Sequence, residues 1–163
     1  SSIVDGFWGP PTILPTEKRL YVLYQLGGPS EIRAFDLDGK PLAAPKQLPV
    51  SAAGGMTRAG KDDILFSNES FVVAPAWYRF NAAAGETKKT ALVTEAPIDL
   101  SGVEVRREFA TSKDGTRVPV NILIPPGASL DGSGPCVLYG YGGYGVNIEP
   151  RFIPRNAVFL EQG

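Results

Sequence analysis

Short apolar runs separated by turn residues follow one another along the chain. Leu20–Tyr24 is rich in aromatic and branched side chains, which is typical of a buried strand. Glu31–Phe35 alternates polar with apolar residues, as a half-buried strand does. Gly27-Gly28-Pro29 and Asp38-Gly39 mark turns before and after this second run. The pattern predicts β-structure, a loop over residues 1–16, and no persuasive helix in any segment.

A second unit resembles the first. Ile64–Phe66 begins a strand and Trp77–Phe80 returns after a loop. The two phenylalanines that close the units, Phe35 and Phe80, lie 80 − 35 = 45 residues apart, and each precedes an Asp or Asn and then a glycine. A β-only repeat of about 40–50 residues is typical of propeller blades. A β-sandwich with two similar hairpins is the alternative.

The pattern changes near residues 97–102, where we place a domain boundary. Beyond it, Val103–Phe109 and Val118–Ile124 predict two strands joined by an Asp-Gly turn, because glycine accepts the positive φ of a hairpin turn. Cys136–Tyr139 and Ala157–Leu160 are apolar runs that predict two further strands. The single cysteine, Cys136, is interpreted as a small buried hydrophobe in its strand.

Composition excludes several classes of partner. Of 163 residues, 43% are hydrophobic, and 16 basic side chains balance 17 acidic ones for a formal net charge of −1. Without a basic excess, nucleic acid and anionic membrane are poor partners. No stretch approaches the roughly 20 apolar residues that a membrane helix needs. No signal peptide is visible. We expect a soluble chain, cytoplasmic or periplasmic, with the compartment left open.

The chain has no histidine and one cysteine. It therefore cannot build a Ser-His or Cys-His nucleophile pair, most zinc sites, or an internal disulfide from its own residues. Asp36–Gly39 has only the start of a calcium-loop pattern, and a solvated turn is the better interpretation. We expect no metal and no cofactor.

The loop with the most chemical interest is Tyr139–Gly145, which follows an apolar run. In α/β-hydrolases the loop after the third strand supplies part of the oxyanion hole. Glycine lets the backbone approach a substrate, and a phenol is a neutral, rigid hydrogen-bond donor at pH 7. Tyr-Gly stretches also form plain turns, and the residues alone favour that simpler interpretation.

Three segments in order resemble the prolyl oligopeptidase family: Phe109–Pro119, Leu130–Ser133 and Leu138–Gly143. The resemblance implies a seven-bladed propeller that caps an α/β-hydrolase domain cleaving short peptides, often after proline. Residues 1–97 would be the last blades of the propeller, and residues 98–163 the first strands of the peptidase domain. This gives a mainly β chain whose fold is completed by the remainder of the same polypeptide.

The resemblance also implies roles for residues of the loop. Tyr141 matches the tyrosine whose hydroxyl stabilises the oxyanion. Tyr144 matches a position usually held by phenylalanine, which lines the pocket for the substrate proline, and Gly142 and Gly143 lie with it on the substrate side. The chain contains no Gly-x-Ser-x-Gly, so the catalytic triad is expected after Gly163. Expressed alone, the chain is expected to be inactive and poorly stable.

Two alternatives remain. An oligopeptidase B type of peptidase would cleave after basic residues; Tyr144-Gly145 favours it, whereas Gly142-Gly143 and Leu130–Ser133 favour the proline type. A propeller-and-hydrolase scaffold without a working triad would bind proteins and cleave nothing. The residues after Gly163 would discriminate, because only a peptidase needs a serine in the nucleophile elbow.

Overall fold

The structure is a computed structural model that describes residues 2–3 and 12–162, and it is built mainly from antiparallel strands. The elements are β1 (Ser2–Ile3), β2 (Ile13–Pro15), β3 (Leu20–Gln25), β4 (Ser30–Phe35), β5 (Pro41–Leu42), β6 (Ser51–Arg58), β7 (Ile64–Ser70), β8 (Ala76–Asn81), β9 (Glu86–Val93), β10 (Glu104–Thr111), β11 (Arg117–Ile124) and α1 (Asn156–Leu160).

The strands form three sheets. The first has the order β1-β3-β4-β5, and β2 also pairs with β3. The second is the consecutive meander β6-β7-β8-β9, and the third is the hairpin β10-β11. The prediction of a mainly β chain is confirmed. The predicted loop over residues 1–16 is wrong for Ser2–Ile3 and Ile13–Pro15, since β3 offers both segments a pairing partner; residues 1 and 4–11 lie outside the described residues.

The internal repeat is visible in the pairing of the first two sheets. Leu20 faces Phe35 in the first sheet, and Ile64 faces Phe80 in the second. The turn after each phenylalanine is closed by a side-chain oxygen: Asp36 Oδ1 accepts from the Lys40 amide at 2.8 Å. Asn81 Oδ1 accepts from the amide three residues later at 2.9 Å. Equivalent turn chemistry therefore follows equivalent strands, about 45 residues apart, as the sequence predicts.

One hydrophobic core joins the first two sheets. The rings of Tyr21 and Phe80 meet edge to face, with centroids 6.2 Å apart and planes at 82°. The Tyr21 hydroxyl donates to the Asp62 carbonyl oxygen at 2.7 Å, and burial raises the pKa of Tyr21 to about 12. The remaining buried members of the core come from β4, β6, β7 and the first residue after β8: Ile32, Ala34, Ala53, Met56, Ile64, Phe66 and Ala82.

Buried polar groups fix the linker between the two sheets. The Asn68 side chain is 1% exposed and uses both its nitrogen and its oxygen. Its Nδ2 donates to Ser51 Oγ and to the Ala52 carbonyl, both at 2.9 Å, and its Oδ1 accepts from the Leu48 amide at 2.8 Å. A buried amide that keeps its hydrogen bonds avoids the cost of desolvation. Asn68 therefore fixes the path by which the chain enters the second sheet.

Two predicted strands are absent. Residues 136–139 form no strand, and Cys136 is exposed rather than buried. A strand needs a hydrogen-bonding neighbour, and within residues 12–162 this run pairs with none. Residues 157–160 lie in the helix α1 instead, where Ala157 is buried. Pro154 lies two residues before this helix, and its carbonyl oxygen accepts from the Ala157 amide at 3.1 Å.

Candidate active-site loop

Residues 139–146, the Tyr141 loop, have no regular secondary structure and end in a tight turn. The Val146 amide donates to the Gly143 carbonyl oxygen at 3.1 Å, and the two residues between them both have positive φ. Tyr144 has φ 56° and Gly145 has φ 67°. Positive φ at both central positions is the signature of a type I′ turn. At Gly145 the glycine of the sequence pattern is therefore explained by the turn, which requires positive φ there.

Tyr141 is half exposed, and its phenol ring lies against Gly143. A Cβ atom added at Gly143 would lie 3.2 Å from the Tyr141 hydroxyl oxygen and 3.3 Å from its Cζ. The absence of a side chain at Gly143 therefore lets the phenol occupy its position. At Gly142 an added Cβ atom would meet nothing within 4 Å apart from its chain neighbours, Tyr141 and Gly143. Gly143 is therefore the glycine that the Tyr141 phenol reaches across one intervening residue.

Tyr144 extends into solvent. Its side chain is 98% exposed, and its backbone lies in the left-handed region, at φ 56°. For a residue with a Cβ atom this conformation costs roughly 1–2 kcal/mol, and Asn or Gly would fit the position better. No packing in the described part of the chain offsets that cost. A strained, exposed aromatic beside the candidate donor is consistent with a ligand-facing role, which stays a prediction.

Two contacts tie the chain beyond this loop to the first two sheets. The Phe152 amide donates to Glu69 Oε2 at 2.9 Å, although the two residues are 83 positions apart. The Ile148 carbonyl oxygen passes the end of the first sheet, 2.9 Å from where a Cβ atom of Gly28 would lie. Gly28 also has φ +133°, so both its backbone and its surroundings exclude a side chain.

A third contact links the hairpin β10-β11 to the first sheet. One nitrogen of the Arg107 guanidinium donates to the Leu26 carbonyl oxygen at 2.7 Å, and the other donates to Asn121 Oδ1 at 3.1 Å. Partial burial lowers the pKa of Arg107, because the surroundings solvate the charge less well than water does. Nothing in the sequence pattern around Glu69, Gly28 or Arg107 predicts these contacts, which join residues about 80–120 positions apart.

The described residues contain no cluster of potential metal ligands. Among residues 2–3 and 12–162, no group of three or more His, Cys, Asp or Glu side chains could bind a metal ion. A shallow cavity of about 380 Å³ lies along the outer edge of β4 and the linker to β6, lined in part by Arg33, Gln47 and Ser51. The Tyr141 loop does not line it. No helix in the described ranges is long and apolar enough to cross a membrane.

Known proteins resemble the chain over most of its length. No protein-family model matches it. The prolyl endopeptidase of Elizabethkingia meningoseptica is 29% identical over 147 residues, which cover 88% of the chain and 20% of that protein. A solved prolyl endopeptidase structure superposes with a TM-score of 0.78 at 28% identity, covering 98% of the chain and 24% of that protein. The chain belongs to the prolyl oligopeptidase family.

A further relative is an uncharacterized peptidase of Sinorhizobium fredii (strain NBRC 101917 / NGR234). It is 31% identical over 155 residues, which cover 91% of the chain and 21% of that protein. The chain thus spans about a fifth of the length of the prolyl oligopeptidase relatives it matches.

Family membership confirms the predicted fold class. The chain is mainly β with antiparallel sheets, and its prolyl oligopeptidase structure neighbours combine a propeller with a hydrolase domain. The assignment of the first two sheets to the propeller and of the later strands to the hydrolase domain stays a prediction. The boundary between residues 97 and 98 stays a prediction, as do the roles of Tyr141, Tyr144, Gly142 and Gly143. The structure places all four in one loop, with Tyr141 on Gly143 and Tyr144 in the turn that follows.

Proposed function

We propose that the polypeptide carrying this chain is a serine peptidase that hydrolyses short peptides after proline, with Tyr141 as an oxyanion donor. The observation that supports the proposal best is the position of the Tyr141 phenol, half exposed on a glycine-rich loop and resting on Gly143. The prolyl endopeptidases among its relatives supply the reaction class.

In this proposal a serine hydroxyl attacks the substrate carbonyl carbon, and the carbonyl π electrons move onto oxygen. The Tyr141 hydroxyl then donates a hydrogen bond to the developing oxyanion. Collapse of the tetrahedral intermediate re-forms the carbonyl and expels the amine, which takes the proton that the base removed from serine. Water hydrolyses the acyl-enzyme by the same steps. The nucleophile pair is supplied by other residues of the polypeptide, since this chain contains no histidine.

Tyr144 is the proposed contact for the substrate proline ring. Its ring is 98% exposed, so its faces are available to a flat apolar group. A proline ring packed on a tyrosine removes apolar area from water on both sides. The hydroxyl adds a polar tip that phenylalanine lacks. Reporter peptides with proline or arginine before the cleaved bond test directly which residue the pocket prefers.

The test is Tyr141→Phe in the full-length polypeptide, assayed with a short peptide that carries a reporter after proline. Removing one oxyanion donor lowers kcat/KM by roughly 10²–10³-fold with the fold unchanged. Tyr139→Phe is the matched control, because Tyr139 is a 75% exposed phenol two residues away with no assigned role.

Equal rates for the two variants and the native enzyme would remove Tyr141 from the mechanism. A native enzyme that cleaves only after arginine would favour the oligopeptidase B type. No cleavage of either reporter, with a folded protein, would favour the binding scaffold.

A further inference from the structure

The Tyr141 loop makes few contacts of its own. Tyr139, the first residue of the loop, is 75% exposed, Tyr141 is half exposed, and Tyr144 is 98% exposed. A loop with so little burial gains little rigidity from packing. Among the described residues, its position therefore depends on how the chain is fixed on either side of it.

The chain after the loop is fixed at residues 148–152, the anchor segment. Ile148 approaches Gly28 of the first sheet, Pro150 is fully buried, and the Phe152 amide binds Glu69 of the second sheet. The two charged side chains of the segment pair with each other, since Arg151 Nη2 lies 3.4 Å from Glu149 Oε2. Glu69 is therefore the side chain of the sheets that bonds directly to the anchor segment's backbone.

The position of Glu69 on β7 suits this contact. Alternate residues of β7 are buried, among them Phe66, Asn68 and Ser70, so Glu69 lies on the opposite face of the strand. A carboxylate that accepts from a backbone N–H makes a charge-assisted hydrogen bond, about twice as strong as a neutral one. The bond at 2.9 Å joins residues 83 positions apart. It fixes the far end of the anchor segment.

We infer that Glu69 is a positioning residue for catalysis: its hydrogen bond to Phe152 fixes the anchor segment, and thereby sets where the Tyr141 hydroxyl lies. The inference rests on the proposed function, because it gives Glu69 an effect on rate through Tyr141. Glu69 itself contacts no reacting atom in this scheme. Tyr141 lies seven residues before the anchor segment begins at Ile148, and the last residue of the loop, Val146, lies six residues before Phe152.

The variants are Glu69→Ala, which removes the acceptor, and Glu69→Gln, which keeps a neutral oxygen acceptor. Glu86→Ala is the matched control, because Glu86 lies on the outer strand of the same sheet in an exposed ion pair with Lys88. Each is made in the full-length polypeptide, alone and together with Tyr141→Phe. The measurements are kcat and KM, the thermal midpoint, and amide hydrogen exchange over residues 139–153.

We expect Glu69→Ala to lower kcat about tenfold with little change in KM, because a small misplacement of a catalytic group is costly. Combined with Tyr141→Phe it should cost little more, since the donor it positions is already gone. Glu69→Gln should keep most of the activity, and Glu86→Ala all of it. Exchange should rise over the anchor segment and the Tyr141 loop in Glu69→Ala.

Equal losses from Glu69→Ala in the native and Tyr141→Phe backgrounds would overturn the inference, since Glu69 would then support the fold in general. Unchanged kcat, or Glu69→Gln as damaging as Glu69→Ala, would overturn it as well. If Tyr141→Phe alone has no effect on rate, the proposed oxyanion role fails. Hydrogen exchange then still decides whether Glu69 fixes the anchor segment: unchanged exchange in Glu69→Ala would refute that step too.

Discussion

Large apolar side chains are more deeply buried in the two sheets of residues 12–93 than in the part of the chain from residue 104 onward. In the first region, Tyr21, Ile64, Phe66 and Phe80 are all 0% exposed. In the second, large apolar side chains stay open to water, with Leu138 88% exposed. An apolar run is buried only where a facing surface exists. The region that carries the candidate site buries fewer large side chains, and single hydrogen bonds tie it to the first two sheets.

The largest expected effect tests this contrast directly. Phe80→Ala should destabilise the protein by about 3–5 kcal/mol, because it removes a fully buried ring and leaves a cavity beside Tyr21. Phe109→Ala removes the same group from a 49% exposed position on β10, and it should cost about 1 kcal/mol or less. Urea unfolding followed by circular dichroism measures both. Similar losses at the two positions would break the comparison.

A smaller effect is expected within the Tyr141 loop. Gly143→Ala should lower kcat/KM about tenfold, because its methyl group would lie 3.2 Å from the Tyr141 hydroxyl and displace it. Gly143 has no positive φ, so alanine adds no backbone strain there. Gly140→Ala, in the same loop, likewise without positive φ and with nothing within 4 Å apart from its chain neighbours, should leave the rate unchanged. A rate that falls equally in both would mean that the loop needs glycine for flexibility and not for the phenol.

The smallest effect concerns the pH dependence of the core. Burial raises the pKa of Tyr21 from 10.0 to about 12, so its contribution to stability is fully present below pH 10 and is lost as pH rises towards 12. Tyr21→Phe loses the hydrogen bond to Asp62, at a cost of about 1 kcal/mol near neutral pH. The difference in urea midpoint between native and variant should shrink between about pH 8 and about pH 11. A constant difference would show that Tyr21 does not ionise on unfolding in this range.

Sequence patterns were sufficient for strands that carry apolar or alternating runs bounded by turn residues. β3, β4, β7, β8, β10 and β11 lie within a few residues of their predicted positions. Two strands of the second sheet gave no such signal. β6 is built on Ala and Gly, with a pairing irregularity between Gly54 and Thr57, and the Trp77 ring lies against Gly55. Its place in the sheet comes from its neighbours rather than from propensity.

β9 went unpredicted for a different reason. It is mostly exposed and contains Lys88 and Lys89, and this composition by itself is typical of a loop. As the outer strand of the second sheet it pairs with β8 on one side only. Charged side chains on such an edge discourage pairing with other chains. Its identity as a strand is therefore a property of the sheet it completes.

The amino-acid sequence alone determined the turn-rich β-character, the 45-residue repeat and the glycine-rich loop with Tyr141, because these depend on residues close together in the chain. Only the tertiary structure decided that residues 136–139 stay unpaired, that the Tyr141 phenol lies against Gly143, and that Glu69 meets Phe152. Strand pairing and a hydrogen bond across 83 positions both need partners that the local pattern does not specify. Local chemistry fixes which elements can form, and long-range contacts fix which of them do.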